Sequence, residues 1–146
     1  MSVGRINFTP EKCIQCYSCE TSCKIWREVE QGINWRKIKL EWQGAYPEVK
    51  SRPVDRACRH CSEPACLTAC PTGAIEKEEV HGIVYVRADT CTGCRACLSA
   101  CPYDIPQFGK NGTMQKCDLC YGLKDRVNTP VCVSNCPTQA LQVQEV

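Results

Sequence analysis

The chain has 146 residues, a formal net charge of +2 and sixteen cysteines. Ile, Leu, Val and Phe together supply less than a fifth of the residues, which is little for an apolar core, but the near-zero charge is not that of a disordered chain. Interspersed acidic and basic residues exclude the basic field that nucleic-acid binding requires, and the apolar stretches are shorter than the roughly 20 residues of a membrane span. We therefore expect metal–thiolate bonds to replace part of the core.

The first third of the chain predicts short elements around the first cysteines. Arg5–Phe8 and Trp35–Trp42 have the composition of strands. Glu20–Gln31 is predicted to be a helix closed by Gly32. The following stretch, Tyr46–Pro53, is predicted to be a linker.

The remainder contains an internal repeat, in which a cysteine loop, one helical turn, Cys-Pro and a short strand recur. A β-hairpin is predicted with strands near Ala74–Glu78 and Ile83–Val86 and a turn at His81-Gly82. Asp118–Arg126 is predicted to be helical, and Leu141–Val146 to be a closing strand. These elements predict an α+β fold built around metal sites.

The cysteines fall into four runs, each with four members. The first and third runs have the spacing C-x2-C-x2-C-x3-C, which is typical of bacterial ferredoxins, and the second and fourth lengthen only the middle gap. We therefore predict four [4Fe–4S] clusters, as many as there are runs. The first run is Cys13, Cys16, Cys19 and Cys23; the second is Cys58, Cys61, Cys66 and Cys70; the third is Cys91, Cys94, Cys97 and Cys101; the fourth is Cys117, Cys120, Cys132 and Cys136.

The fourth cysteine of each run is predicted to bind a different cluster from the first three. A helical step of four residues advances it by roughly 6 Å, away from the other thiolates. Two runs must therefore exchange ligands, and we pair the second run with the third and the first with the fourth. The predicted sets are Cys13, Cys16, Cys19 and Cys136 for cluster 1; Cys117, Cys120, Cys132 and Cys23 for cluster 2; Cys58, Cys61, Cys66 and Cys101 for cluster 3; Cys91, Cys94, Cys97 and Cys70 for cluster 4.

Disulfides and zinc are the two chemical alternatives. A disulfide framework needs a secreted context, and Met1 to Phe8 holds no apolar run of signal-peptide length. The fourth run alone, C-x2-C-x11-C-x3-C, has the pattern of a structural zinc site. The first and third runs do not have zinc-ribbon spacing, which favours iron–sulfur clusters over a structural zinc protein.

The runs in order, CRHCSEPACLTACPTGAI, GIVYVRADTCTGCRACLSACPYDIPQF and KCDLC…PVCVSNCPTQAL, resemble a known family. They are similar to the four-cluster iron–sulfur subunits of molybdenum or tungsten oxidoreductases, such as those of dimethyl sulfoxide reductase, polysulfide reductase and formate dehydrogenase. The resemblance extends from about Glu11 to Leu141. The chain is compact and shows no twin-arginine leader or long C-terminal extension, and these features favour a soluble complex that resembles the small subunits of tungsten aldehyde oxidoreductases.

The resemblance implies tandem ferredoxin-like modules with pseudo-two-fold symmetry, one from residues 1–50 with 110–146 and the other from residues 51–109. It also implies a non-catalytic subunit of anaerobic metabolism that passes electrons to or from a catalytic molybdenum- or tungsten-pterin subunit. The expected location is the cytoplasm. Other partners to weigh are a flavin or other electron-acceptor subunit, and further copies of the chain in a filament.

The alternative functions are a free polyferredoxin and an electron carrier for a hydrogenase or formate dehydrogenase. Small free ferredoxins often use acidic surfaces, which this chain lacks.

Some residues beside the cysteines leave two interpretations open. Neighbouring cations either are ordinary solvated charges or raise cluster potentials, and these cations are Lys12, Lys24, Arg59, Arg95 and Lys116.

His60 either packs or donates a hydrogen bond to a cluster sulfur. Aromatic residues concentrate around the first insert and belong either to the core or to an interface; they are Trp26, Trp35, Trp42 and Tyr46. The segment Tyr103 to Phe108 is a second candidate for an interface.

Overall fold

The computed structural model describes residues 4–144, which form short helices and short antiparallel strands. The longest of these elements is a nine-residue helix, because frequent cysteine loops and prolines interrupt the chain. The helices are α1 (Ser18–Trp26), α2 (Ala65–Ala69), α3 (Ala96–Ala100) and α4 (Val131–Ser134). The strands are β1 (Arg5–Phe8), β2 (Arg36–Gln43), β3 (Lys50–Ala57), β4 (Ile75–Lys77), β5 (Val84–Val86), β6 (Gln107–Phe108), β7 (Met114–Gln115) and β8 (Leu141–Gln144).

The described strands pair in four antiparallel two-stranded sheets, β1 with β8, β2 with β3, β4 with β5 and β6 with β7. Strand β1 lies beside β8 from Arg5 opposite Gln144 to Phe8 opposite Leu141, so that the two ends of the described chain meet. Helix α1 packs against α4, and α2 packs against α3. The first run is thus brought to the fourth, and the second run to the third.

The β2–β3 hairpin has a buried base and an exposed tip. Ile38 and Ala57 are buried at its base, whereas Trp42 is 68% exposed and Tyr46 is 94% exposed near its tip. The register runs from Arg36 opposite Ala57 to Gln43 opposite Lys50. The prediction of a linker is therefore wrong for residues 50–53, which belong to β3. The predicted module boundary at residue 50 falls at the start of this strand.

The apolar core is divided into small groups, each of which contains cysteine. Ile83 and Leu119 pack with Cys117, and Leu123 and Val131 pack with Cys120. Two further groups form in the same way around Cys19 with Cys132 and around Cys97. Five buried cysteines, Cys19, Cys97, Cys117, Cys120 and Cys132, therefore lie within the apolar packing groups.

The mixed α+β class is confirmed, as are β1, β2, the β4–β5 hairpin and the helical turn within each repeat. The closing strand is confirmed as far as Gln144, and residues 145 and 146 lie outside the described part. No helix within residues 4–144 has both the length and the apolar character needed to cross a membrane.

The predicted helix Glu20–Gln31 is too long, because α1 ends at Trp26. Glu28 has a positive φ of 49°, which turns the chain out of the helix. The turn places the Glu30 carboxylate where it accepts hydrogen bonds from the Lys110 N–H at 3.1 Å and the Gln115 amide at 2.7 Å. A tertiary contact therefore ends a helix that local propensity would continue.

The predicted helix Asp118–Arg126 is wrong except for a 3-10 turn over Tyr121–Leu123. Leu119 and Cys120 both have positive φ, at 53° and 60°, and α-helix cannot pass through that conformation. The Asp118 carboxylate instead accepts hydrogen bonds from the N–H groups of Cys120 and Gly122. Within the same loop, the Leu119 N–H points at the sulfur of Cys117.

Candidate metal centres

Left-handed residues bend each cysteine loop. They are Gln15 and Tyr17 in the first run, His60 in the second, Gly93 and Arg95 in the third, and Leu119 and Cys120 in the fourth. Most of these are not glycine, so the surrounding structure must stabilise an unfavourable conformation.

The bent loops direct backbone N–H groups at cysteine sulfur. The His60 N–H donates to Cys58 Sγ and the Leu119 N–H to Cys117 Sγ, each at 3.4 Å and each from two residues further on. The sulfurs of the third run and of the Cys-Pro segment receive similar bonds, from the Met114 N–H to Cys91 and from the Ala140 N–H to Cys136. Such donors stabilise negative charge on sulfur, as a thiolate-bound cluster requires.

Cysteines of different runs come together. Cys19 packs in one group with Cys132, Cys13 and Cys136. Cys97 packs in another group with Cys66, Cys70 and Cys91.

Electrostatic effects between cysteines indicate that further pairs lie close together. Burial is the main cause that raises the pKa of Cys23, and negative charge on Cys132 and Cys120 raises it further. Burial also raises the pKa of Cys66, and negative charge on Cys58 and Cys101 adds to this effect.

The remaining predicted ligands are closer to the surface. Cys16 and Cys94 are exposed, each at the second position of its run, and Cys61 is half-buried. Within residues 4–144, no three His, Cys, Asp or Glu side chains converge closely enough to hold a single metal ion.

Burial keeps several of the thiols protonated when nothing is bound. It raises the pKa of Cys19 and of Cys23 to about 12, and that of Cys97 to about 11. Burial also raises the pKa of Cys117 well above its ordinary value. Because metal binding deprotonates a coordinating thiol, loading these sites must release protons.

The fourth cysteines of the second and fourth runs differ from these. Burial alone would raise the pKa of Cys70, but hydrogen bonds from Thr72 Oγ1 and from backbone N–H groups lower it overall. The pKa of Cys136 is lowered by the same combination, again against burial, with Thr138 in the place of Thr72. The Oγ1–Sγ distances are 3.6 Å and 3.8 Å. In the second and fourth runs, the C-P-T segment thus provides hydrogen-bond donors to the fourth cysteine.

Buried donors without acceptors surround the cysteines. His60 is 3% exposed, and its Nδ1 accepts the Val84 N–H at 3.0 Å, which leaves the proton on Nε2. Burial, and then the charges of Lys116 and Arg36, lower the pKa of His60 well below its ordinary value, so the ring is neutral. Both His60 Nε2 and Arg36 Nε lack a partner among residues 4–144. An anionic, sulfur-rich group can accept hydrogen bonds from such donors. The residues around the cysteines therefore fit iron–sulfur clusters.

Arg36 and Asp55 are buried charged residues beside the cysteines that sequence reasoning did not identify. They form an ion pair across the base of the β2–β3 hairpin, with 2.5 Å between Arg36 Nη1 and Asp55 Oδ2. The guanidinium lowers the pKa of the buried thiols of Cys19, Cys23 and Cys117, against burial. The alternation of Arg36, Ile38 and Leu40 along one strand face was the available signal, because it places Arg36 on the inner face.

The comparisons with known proteins agree with this chemistry. The 4Fe-4S dicluster domain matches residues 49–146, and a 4Fe-4S binding domain matches residues 10–30. The sequence is 37% identical over 145 residues to the B subunit of anaerobic dimethyl sulfoxide reductase from Haemophilus influenzae, and the match covers 92% of the present sequence and 70% of that protein.

Two Escherichia coli K12 proteins are similar at the same level. The B subunit of its anaerobic dimethyl sulfoxide reductase is 38% identical over 139 residues, with 89% of the present sequence and 67% of that protein covered. Protein NrfC is 38% identical over 132 residues, and the match covers 88% of the present sequence and 59% of NrfC.

Proposed function

Since this chain belongs to the 4Fe-4S dicluster domain family, we propose that it holds four [4Fe–4S] clusters and relays single electrons to or from a catalytic oxidoreductase subunit. It is an iron–sulfur electron-transfer subunit and not itself the catalytic one. Each cluster, when bound, accepts and returns one electron without making or breaking a bond to a substrate. The protein's own part is to hold the clusters in place, to shield them and to set their potentials.

The ligand sets that we propose are those predicted from the spacing. The observation that carries them is the association of cysteines from different runs. Cys19 with Cys136, and Cys97 with Cys70, share packing groups. The proximity of Cys66 to Cys101 supports the exchange between the second and third runs in the other direction. The influence of Cys120 and Cys132 on Cys23 supports the corresponding exchange between the first and fourth runs.

We also propose that the fold consists of two ferredoxin-like modules. The pairing of α1 with α4 beside β1–β8, and of α2 with α3 near β4–β5, supports a pseudo-two-fold relation between them. Each module would hold two clusters with exchanged fourth ligands. This arrangement brings the clusters of a pair close together, which favours electron hopping.

The partner that we propose is a molybdenum- or tungsten-pterin subunit, because two of the relatives are named as components of dimethyl sulfoxide reductases. The exposed Trp42 and Tyr46 on the β2–β3 hairpin support a role of this hairpin in that interface. The hypothesis that these aromatics belong to the core is wrong for both. A tungsten partner in particular, a flavin subunit, a filament and a cytoplasmic location stay predictions from the sequence.

Anaerobic analysis of iron, acid-labile sulfide and zinc tests the proposed function. Four cubanes require about sixteen iron atoms and sixteen sulfides per protein molecule. The electron-transfer role further predicts that chemical reduction produces the electron paramagnetic resonance of reduced clusters. Zinc without sulfide would instead support the structural zinc protein. About eight iron atoms and eight sulfides in fully loaded protein would contradict the count of four clusters.

A further inference from the structure

Lys116 is a buried cation that has no buried anion beside it. The residue is 4% exposed, and its ammonium donates hydrogen bonds to the carbonyl oxygens of Val84 and, at 3.1 Å, Cys117. Within residues 4–144, no carboxylate forms an ion pair with it. A buried charge that has only carbonyl partners is costly to maintain. The position therefore requires a negative group that protein side chains do not supply.

Lys116 is buried, unlike the other four cations next to cysteines that the sequence analysis names. Lys12, Arg59 and Arg95 are exposed, and Lys24 is half-buried. Solvent screens an exposed charge strongly, whereas a buried one acts across a low dielectric. Of the five cations beside cysteines, Lys116 is therefore the one whose charge solvent screens least.

The ammonium of Lys116 acts on the second run. The ammonium donates to the Val84 carbonyl, and the Val84 N–H in turn donates to His60 Nδ1 at 3.0 Å, inside the loop of the second run. Burial raises the pKa of the Cys66 thiol in that run, and the charge of Lys116 opposes this effect. It also lowers the pKa of His60, which lies between Cys58 and Cys61. The thiol of Cys117, although next in sequence, has Arg36 as its main positive neighbour. Lys116 thus comes from the fourth run but directs its charge at the second.

Arg36 is a useful contrast. It is also buried and also close to thiols, but the Asp55 carboxylate neutralises it at 2.5 Å. The net field of the pair on a nearby cluster is therefore small compared with that of an unpaired ammonium. Unlike Arg36, Lys116 therefore adds a full positive charge to its surroundings.

We propose that Lys116 raises the reduction potential of cluster 3, the one assigned to Cys58, Cys61, Cys66 and Cys101, above the potentials of the other three clusters. A positive charge stabilises the reduced, more negative form of a cluster. The first electron that enters the protein then rests on cluster 3, whose ligand Cys58 packs against the group that contains Cys117 of the fourth run. This inference rests on the proposed function, since it requires the clusters.

Substitution of Lys116→Met in the full-length protein, loaded anaerobically, tests the proposal. Redox titration monitored by electron paramagnetic resonance should show that the reduction potential of one cluster falls by at least 59 mV. This shift is a tenfold change in the equilibrium constant of a one-electron reduction. Lys116→Arg keeps the charge and should retain most of the original potential. Lys12→Met, a change beside Cys13 at an exposed position, is the matched control and should move no potential.

The cluster concerned is identified through its ligands. A Cys61→Ser change should alter the signal that Lys116→Met shifts, and Cys94→Ser should not. In the unsubstituted protein, the first signal to appear on reduction should likewise be the one that Cys61→Ser alters. This second measurement decides the matter even where Lys116→Met loads poorly.

Two results would overturn the inference while leaving the proposed function intact. One is a full complement of iron and sulfide with no potential lowered in Lys116→Met. The other is a first-reduced signal that responds to Cys94→Ser and not to Cys61→Ser. Absence of iron and sulfide from the unsubstituted protein would overturn the proposed function itself.

Discussion

Breaking the buried ion pair at the base of the β2–β3 hairpin should destabilise the protein by an amount that depends on which member is removed. Arg36 and Asp55 are joined at 2.5 Å, and their side chains are 2% and 3% exposed. Breaking a buried pair from one side typically costs about 3–5 kcal/mol, because the other charge stays buried. Asp55→Asn leaves a cation beside the cluster thiolates, which compensate it in part. Arg36→Met leaves an anion beside those same thiolates and should cost more.

Thermal unfolding of the loaded proteins under anaerobic conditions measures the difference. For a protein of this length, about 2–4 °C of Tm corresponds to each kcal/mol, so we expect Arg36→Met to lose roughly 10 °C or more and Asp55→Asn clearly less. Bleaching of the cluster absorption at one fixed scan rate is the readout, because cluster loss is irreversible. Arg87→Met removes an exposed pair with Glu76 and should change the Tm little, since such pairs contribute about 0–1 kcal/mol. A loss in Asp55→Asn that equals or exceeds the loss in Arg36→Met would refute the reasoning.

Three further outcomes are expected. Cys70→Ala should perturb the spectrum of the cluster that the third run binds, and Cys101→Ala that of the second run; loss of only its own run's cluster in either variant would disprove the exchange. Leu119→Ala, at a side chain 1% exposed, should lower the Tm in the same fixed-rate scan by roughly 4 °C or more, since such a truncation costs about 2–5 kcal/mol, whereas a shift below about 2 °C would show that this packing group is unimportant. Removal of the clusters with a chelator and an oxidant should abolish the circular dichroism of the folded protein, and retention of that signal would contradict a core that depends on metal.

The sequence was most informative where the chemistry is local. The end of the helical turn before each Cys-Pro follows from proline, which fixes its own φ and restricts the preceding residue. The hairpin around His81 and Gly82 follows from β-branched and aromatic composition. Such features depend on neighbours in the sequence, and the structure has them where they were expected.

The errors occur where distant parts of the molecule decide the conformation. Helix α1 ends early because Glu30 is needed as an acceptor for residues about eighty positions away. The segment after Asp118 is not a helix, because its backbone turns toward Cys117 sulfur and the Asp118 carboxylate. Neither requirement can be seen within a window of a dozen residues.

The ion pair of Arg36 and Asp55 is the clearest case of a site residue hidden from sequence reasoning. Both residue types are usually exposed, and only the strand register places Ile38 opposite Asp55 and thus brings both charges to the buried base. The sequence identifies Lys116 as a cation next to Cys117. Its burial, and the cysteines that its charge faces, are seen only in the structure.

Crystallography of the anaerobically loaded protein, with data collected at the iron absorption edge, tests the central claim most directly. We predict four separate anomalous peaks within the molecule, each surrounded by three cysteines of one run and by the fourth cysteine of its partner run. In particular, Cys70 should ligate the same cluster as Cys91, and Cys23 the same cluster as Cys117. Fewer than four peaks, or peaks whose four ligands all come from one run, would contradict the interlaced arrangement.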